Sequence, residues 1–306
     1  MPERHLPNRR VVIYYNQLSG RARRLAGRYQ LFFENAVADV TLLPSSASSV
    51  RDQTQLIQVC EGAHECVVIG GDGSINIVVN ALIQANLQAQ VAMTVIPVGT
   101  GNDFARDHGL KRWNWRMNAN ITTLTEAVCH VQSEGLSRYF VNHVGTGLSV
   151  DLMRLQQHWL KQSAGRLSYL IALARYLFGS MTSRSRIRRG KYWDDGQFVA
   201  LGRYIGGGFL VHPHADRTDA MLARIRVPKM PRWRQTKALL NVLKGRIETT
   251  AAIEFERGKQ FQIGDSEHAL ELDGDIYFHG PATVTVSSTT ILVSVPDLKK
   301  TKGENS

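Results

Sequence analysis

The chain has 306 residues, 43% of them hydrophobic, enough to bury the core of one or two domains. Its formal charge of +11, from 37 Lys and Arg against 26 Asp and Glu, predicts an anionic partner: phosphate, anionic lipid or nucleic acid. A disulfide framework, a signal peptide and a membrane-spanning helix are excluded in turn: the three cysteines have no regular spacing, no apolar core follows the charged start, and the longest apolar run, residues 167–178, is short and broken by Arg175.

Residues 11–15 read as a first buried strand, closed by Asn16-Gln17-Leu18-Ser19-Gly20. A helix is predicted over 21–37, a strand over 39–43, and a polar loop at 44–49 whose serines can cap a helix over 50–60. The β-branched run 67–69 then ends abruptly in Gly70-Gly71-Asp72-Gly73, and residues 74–83 place their apolar positions on one helix face. Such a strand–glycine–helix passage brings backbone close to a ligand and aims unpaired N–H groups at a phosphate. An isolated turn of this kind is more often a bare βα connection. Here a second unit follows: the apolar run 93–98 ends in Gly99-Thr100-Gly101-Asn102-Asp103-Phe104-Ala105-Arg106. Alternating strands and helices predict a parallel sheet with both loops on its carboxyl edge, where open α/β sheets bind ligands. Neither loop carries a dinucleotide fingerprint or ends in Gly-Lys-Ser/Thr.

From Arg138 onward short strands dominate. Residues 139–147 read as a strand breaking into glycines, and 149–178 as helix interrupted by Gly165. Strands are expected at 184–193, 198–204 and 221–227, with an Asp194-Asp195-Gly196 turn, a Gly206-Gly207-Gly208 break, a helix over 233–243 and at least four more strands to Val295. Antiparallel strands with Asp-Gly turns predict a β-sandwich or barrel. The densest basic cluster is Arg184, Arg186, Arg188, Arg189 and Lys191. A solvated strand face is its common meaning, but alternate residues project together and no aromatics are interleaved, which favours an anionic membrane surface over nucleic acid.

The pair Gly70-Gly71-Asp72-Gly73-Ser74 and Pro97-Val98-Gly99-Thr100-Gly101-Asn102-Asp103-Phe104-Ala105-Arg106 resembles the diacylglycerol kinase catalytic family, which includes soluble bacterial lipid kinases and sphingosine and ceramide kinases. The resemblance runs from about Arg10 to about Pro296 and is weakest over 110–137. It implies an N-terminal parallel-sheet α/β nucleotide domain, residues 1–130 completed by 290–306, and a C-terminal antiparallel β-sandwich, residues 131–289, for the lipid. It implies ATP and Mg2+ as cofactors and a lipid hydroxyl as acceptor; the cysteines suit reduced thiols in the cytoplasm, the charge predicts peripheral attachment to an anionic membrane surface and not to nucleic acid, and a homodimer is allowed. The implied nucleotide contacts are Asn16, Ser19 and Gly20 of the first loop (Gln17 standing where proline is usual), Ser45 after the second strand, Gly70, Gly71, Asp72, Gly73, Ser74 and Asn76, then Gly99, Thr100, Asn102, Asp103 and Arg106.

Asp273-Gly274-Asp275 alone reads as a hairpin turn. The family has Asp-Gly-Glu here, so Asp273 matches its general base and Asp275 replaces the glutamate. Asp72 is the candidate magnesium carboxylate, and Asp219 matches a structural-magnesium aspartate of some relatives, with Ala220 where they have glycine. Ser74 replaces threonine and Ile77 a frequent glutamate, and the junction at 131–138 lacks an expected aspartate, leaving Glu134 as the substitute or the charge network around Asp103 and Arg106 incomplete. Two other functions stay open: a lipid- or nucleotide-binding protein with impaired catalysis, and a kinase of a soluble substrate such as NAD.

Overall fold

The computed structural model describes residues 9–36, 38–147, 150, 192–193, 196–228, 230–243, 245–247, 250–265, 269–279 and 281–297. The expected helix over 149–178, apart from Val150, and the basic cluster at 184–191 lie outside the described residues. The chain forms two units, Met1–Ala127 with Ser288–Ser306, and Val128–Ser287.

In the first unit β1 (Arg10–Tyr15), β2 (Asp39–Pro44), β3 (Glu65–Gly70) and β4 (Ala92–Pro97) run parallel in the order β2-β1-β3-β4, and the end of β18 (Ala282–Pro296) joins them parallel to β4. All six residues of β3 are buried, as a central parallel strand covered on both faces requires. The strands alternate with α1 (Gly20–Glu34), α2 (Ser49–Cys60) and α3 (Asp72–Gln84). Helix α1 opens on Ser19, whose hydroxyl accepts the Ala22 N–H, and buries Ala22, Leu25, Ala26, Tyr29 and Phe33 along one stripe. It stops at Glu34, short of the predicted end, where Phe33 O accepts both Ala36 N–H and Ala38 N–H and closes the last turn.

The segment between the first-unit strands and the second unit, hardest to read from sequence, is held by a buried ion pair. The α5 turn (Trp115–Asn118) presents Arg116 bidentately to Glu65, with Nε–Oε1 at 2.8 Å and Nη2–Oε2 at 2.9 Å. Thr94 donates its hydroxyl to the same carboxylate at 2.6 Å, and the guanidinium lies 5.1 Å from the Phe33 ring centre. Strand β5 (Ile121–Ser133) then begins in the first unit and ends in the second, and β18 makes the return.

The second unit is an antiparallel sandwich. One sheet has the order β14-β12-β9-β7-β16-β17, formed by Glu254–Gly258, Leu222–Val227, Gly196–Ala200, His143–Gly147, Ala269–Leu272 and Asp275–His279. The other layer contains the end of β5, β6 (Leu136–Phe140), β15 (Gln260–Ile263) and the start of β18. Between the layers Cys129, Phe140, Val144, Val199, Leu222, Phe261, Leu270 and Val284 form one core. Period-2 alternation sends Ala200 and Ile225 to the opposite face, where they pack with Ala238 of α6 (Arg232–Leu243).

The stretch 139–147, expected as one strand, is two strands, β6 and β7, in different layers. The break has a physical cause: the amides of Val141, Asn142 and His143 leave the ladder and donate to the Asp273 carboxylate. Likewise 198–204 divides into β9 and β10 (Tyr204–Ile205), which turns back through Gly206, Gly207 and Gly208 at φ +58°, +89° and +102° to β11 (Phe209–Leu210).

Candidate active site

The glycine loops predicted from sequence meet at the carboxyl ends of β3 and β4. Gly70 O accepts both Val98 N–H at 3.0 Å and Gly99 N–H at 3.2 Å. Beyond that bond the backbones of Gly71 and Gly99 touch, so a Cβ placed on Gly99 would sit 2.5 Å from Gly71 Cα. Gly70 has the same need of a missing side chain, because a Cβ there would lie 2.6 Å from the Ser74 Cβ. Asp72, the first residue of α3, accepts Asp103 N–H on one oxygen and Phe104 N–H on the other, both at 3.1 Å. It thereby caps the short helix α4 (Asp103–Asp107) and locks one motif to the other. Asn102 takes φ +52° and donates its side-chain amide to Gly99 O, while Arg106 donates to Gly101 O at 3.1 Å. Gly73 lies in the first turn of α3, and Thr100 lies in the loop between β4 and α4.

The other predicted residues of this edge are neighbours. Asn16 N–H donates to Ile69 O, joining the ends of β1 and β3, and Asn16 Oδ1 accepts Leu18 N–H at 3.0 Å. Ser19 caps α1, Gly20 is its first residue, and Ser45 Oγ accepts Gln17 N–H at 3.1 Å. Asn76 is buried on α3, where its backbone and side-chain oxygens accept from Asn80 Nδ2. Asp52, which the sequence reading passed over, is buried and steadies the Ser45 loop by accepting Ser46 N–H at 2.8 Å and the Tyr14 hydroxyl at 2.7 Å. Burial, then the bond to Asp52, pushes the Tyr14 phenol far above its ordinary range, so it stays a donor.

A second pair was equally hidden. His108, just after α4, hydrogen-bonds Phe104 O through Nδ1 at 2.8 Å and pairs through Nε2 with Glu126 of β5. Both side chains are buried. Glu134, the expected substitute for the missing junction aspartate, is exposed in the β5–β6 turn beside Gly135. A buried acid, Glu126, stands behind α4 through His108. His108 and Glu126 are 18 residues apart, and no ligand-type spacing marked them.

In the second unit Asp273 and Gly274 form the turn between β16 and β17, with φ +46° and +100°. Asp273 is 1% exposed. Its Oδ2 accepts Val141 N–H, and its Oδ1 accepts Asn142 N–H and His143 N–H, each at 3.0 Å. Arg217 closes the far side of this loop, donating to Val141 O at 2.8 Å and to Asn142 Oδ1 at 3.3 Å. Asp275, partly exposed, begins β17. Burial raises the nearby Tyr277 hydroxyl to about 12; Arg138 opposes the shift and the charges of Asp275 and Asp273 add to it.

Among the described residues no group of three or more His, Cys, Asp or Glu side chains could hold a metal ion. Asp219, expected at a structural magnesium, instead accepts Met221 N–H at 3.0 Å on one oxygen and Arg257 at 2.6 Å on the other. The guanidinium and the carboxylate form a part-exposed ion pair. Ala220 beside it is held at φ +50°, a conformation that suits the glycine of the relatives. Asp72 stands just past the end of β3 as a single carboxylate, and one or two carboxylates beside phosphate oxygens are the set magnesium takes.

The Gly71–Gly99 contact makes a specific demand on the sequence. Gly99→Ala is expected to force the two backbones apart, so that an ATP analogue, the ligand the sequence resemblance implies for this edge, binds at least about tenfold more weakly, the effect of some 1.4 kcal/mol. Gly27→Ala on α1, where a Cβ meets nothing within 4 Å, should instead stabilise the fold by roughly 0.5–1 kcal/mol. Isothermal titration with an ATP analogue and thermal melting of both variants check the contrast.

Comparison with known proteins agrees with this architecture. Residues 10–134 match the model of the diacylglycerol kinase catalytic domain, and residues 143–295 match that of the YegS C-terminal NAD kinase beta sandwich-like domain. A diacylglycerol kinase of Mycobacterium tuberculosis is 26% identical over 304 residues, covering 94% of this chain and 95% of the relative. A diacylglycerol kinase of Bacillus subtilis is 27% identical over 277 residues, covering 87% and 90%. A solved diacylglycerol kinase structure from Bacillus anthracis superposes with a TM-score of 0.65 at 16% identity, over 96% of this chain and 98% of that one, a likeness of fold. With both halves matched in order, the chain belongs to the diacylglycerol kinase catalytic-domain family, its second half being the YegS-type β-sandwich.

Proposed function

We propose that the chain is an ATP-dependent lipid kinase whose first unit holds the nucleotide and whose second unit presents Asp273 to a lipid hydroxyl. The observation that carries this reading is the backbone contact of Gly71 with Gly99, which joins two amide-rich loops at one sheet edge, glycine against glycine. Such a surface suits phosphates without a Walker lysine. In the reaction the lipid oxygen attacks the γ-phosphorus, the bond to the ADP oxygen breaks, and the hydroxyl proton passes to Asp273. Magnesium on the nucleotide, with Asp72 as its protein carboxylate, would offset the phosphate charge. The names of the matched relatives make diacylglycerol the first lipid to test.

Phosphate transfer from labelled ATP to a mixed lipid extract, with products identified by mass, is the direct test. A phosphorylated lipid, lost on chelation of magnesium, is the expected product. Transfer to NAD in place of lipid would assign the soluble-substrate reading. One observation favours a third reading: Asp273 is buried and already accepts three amide hydrogen bonds, as a purely structural clamp would. ATP binding without transfer to any lipid would support that binding-protein reading.

Peripheral membrane attachment belongs to the same proposal, motivated by the +11 charge and the basic residues at 184–191. Each basic side chain near an anionic bilayer contributes about 1 kcal/mol. Co-sedimentation with phosphatidylglycerol-containing vesicles should weaken as salt rises and as the anionic lipid is withdrawn. Binding that ignores both would rule out an electrostatic contact.

A further inference from the structure

The turn carrying Asp273 is held from a second side by a buried acid–imidazole pair that the reaction above does not use. Glu271 is 2% exposed and His143 7%, and Glu271 Oε2 lies 3.1 Å from His143 Nε2. The other oxygen of Glu271 accepts Gly274 N–H at 2.8 Å. Both residues of the turn have positive φ, +46° and +100°, as an Asp-Gly turn requires. Strand pairing sets Glu271 opposite Gly145 and Leu272 opposite Val144, so Glu271 can reach the turn amide and the start of β7 together. His143 meets Asp273 twice through its backbone, donating N–H to Oδ1 at 3.0 Å and accepting Asp273 N–H at 3.1 Å. The hydrogen bonds thus close a ring: Asp273 to the His143 backbone, the His143 ring to Glu271, and Glu271 back to the Gly274 amide.

An Asp-Gly turn forms readily without such help. Burying a further carboxylate beside it is costly unless it is paired, so the pair indicates that the turn is held to a tighter tolerance than a connection needs. We propose that Glu271 is a positioning residue that sets the angle of the Asp273 carboxylate, with His143 aligning Glu271; the inference rests on the reading of Asp273 as proton acceptor. A misplacement of about 1 Å at a reacting group can cost on the order of 10²-fold in rate.

Transfer from ATP to diacylglycerol in mixed micelles tests this on the full chain. Glu271→Leu should lower kcat by about 10–100-fold with the KM for ATP unchanged. Glu271→Gln keeps an oxygen for Gly274 N–H and should recover most of the rate. His143→Leu keeps both backbone bonds to Asp273 and loses only the ring, so it should show a smaller fall of the same kind. Wild-type kcat in Glu271→Leu, or a fall that Glu271→Gln does not recover, overturns the proposal. If Glu271→Leu does not fold, His143→Leu decides, and an unchanged kcat there overturns it too. Asp273→Asn in the same assay separates the two ideas. Full activity there removes the proton-acceptor reading itself. An inactive Asp273→Asn beside fully active Glu271→Leu and His143→Leu removes only the positioning role.

Discussion

Asp273→Asn is expected to lower transfer to lipid by about 10²–10⁴-fold while leaving ATP affinity unchanged, because a general base acts only in the transfer step. The hydrogen bonds around Asp273 make the substitution less innocent than its shape suggests. An asparagine can keep its oxygen toward Asn142 N–H and His143 N–H, but its NH2 then faces Val141 N–H, donor against donor. One lost bond at a buried site costs about 1–3 kcal/mol. A domain with the usual 5–15 kcal/mol stays folded after that loss, so melting curves at the assay temperature separate a missing base from a missing fold. A carboxylate already accepting three N–H groups is a weak base, yet in a loose phosphoryl transition state the alcohol surrenders its proton late, and position matters more than basicity. A variant that is folded, binds ATP and transfers at the wild-type rate would reduce Asp273 to a clamp for residues 141–143.

The clamp also marks where the sequence stopped being legible. The glycine loops could be read because glycine is itself the structural instruction: a Cβ would collide at Gly70 and Gly99, and at Gly71 it would press on the Gly99 backbone at 3.0 Å. The parallel strands were legible because β1, β3 and β4 are short apolar runs buried on both faces. The division of 139–147 into two strands was not, because its cause, Asp273, lies 131 residues from Asn142. The first half of β5 is mostly exposed, so residues 121–125 carry no apolar alternation to announce a strand. Glu65, Arg116, His108 and Glu126 are charged or titratable types that a single sequence assigns by default to the surface. Only the fold reveals that they are buried partners, 51 and 18 residues apart.

Arg116→Met is expected to produce the largest loss of stability in the first unit. The methionine fills similar space beside Phe33 but leaves Glu65, 3% exposed, without its cation. Breaking a buried pair from one side typically costs 3–5 kcal/mol, about 10 °C or more in melting temperature for a unit of this size. The pH dependence should also change sign. In the wild type burial pushes the Glu65 carboxyl up, but the bond and charge of Arg116, the Thr94 hydroxyl and the charge of Arg9 outweigh it, so its pKa lies below the ordinary value of 4.5. A lowered folded pKa contributes stability above the unfolded value, and that contribution fades as pH falls through the folded one. Without the guanidinium, burial dominates and the folded pKa rises above the unfolded one. The variant should therefore gain stability on mild acidification, over a range where the wild type is flat or losing it. Arg116→Met combined with Glu65→Gln removes the stranded charge, and it should recover part of the loss and abolish the acid gain. Chemical denaturation of all three proteins between pH 7 and about pH 4.5 decides the matter. A cost below about 1 kcal/mol, the range of an exposed pair, with an unaltered acid profile would mean that solvent reaches Glu65 and the pair is not the buried brace described above.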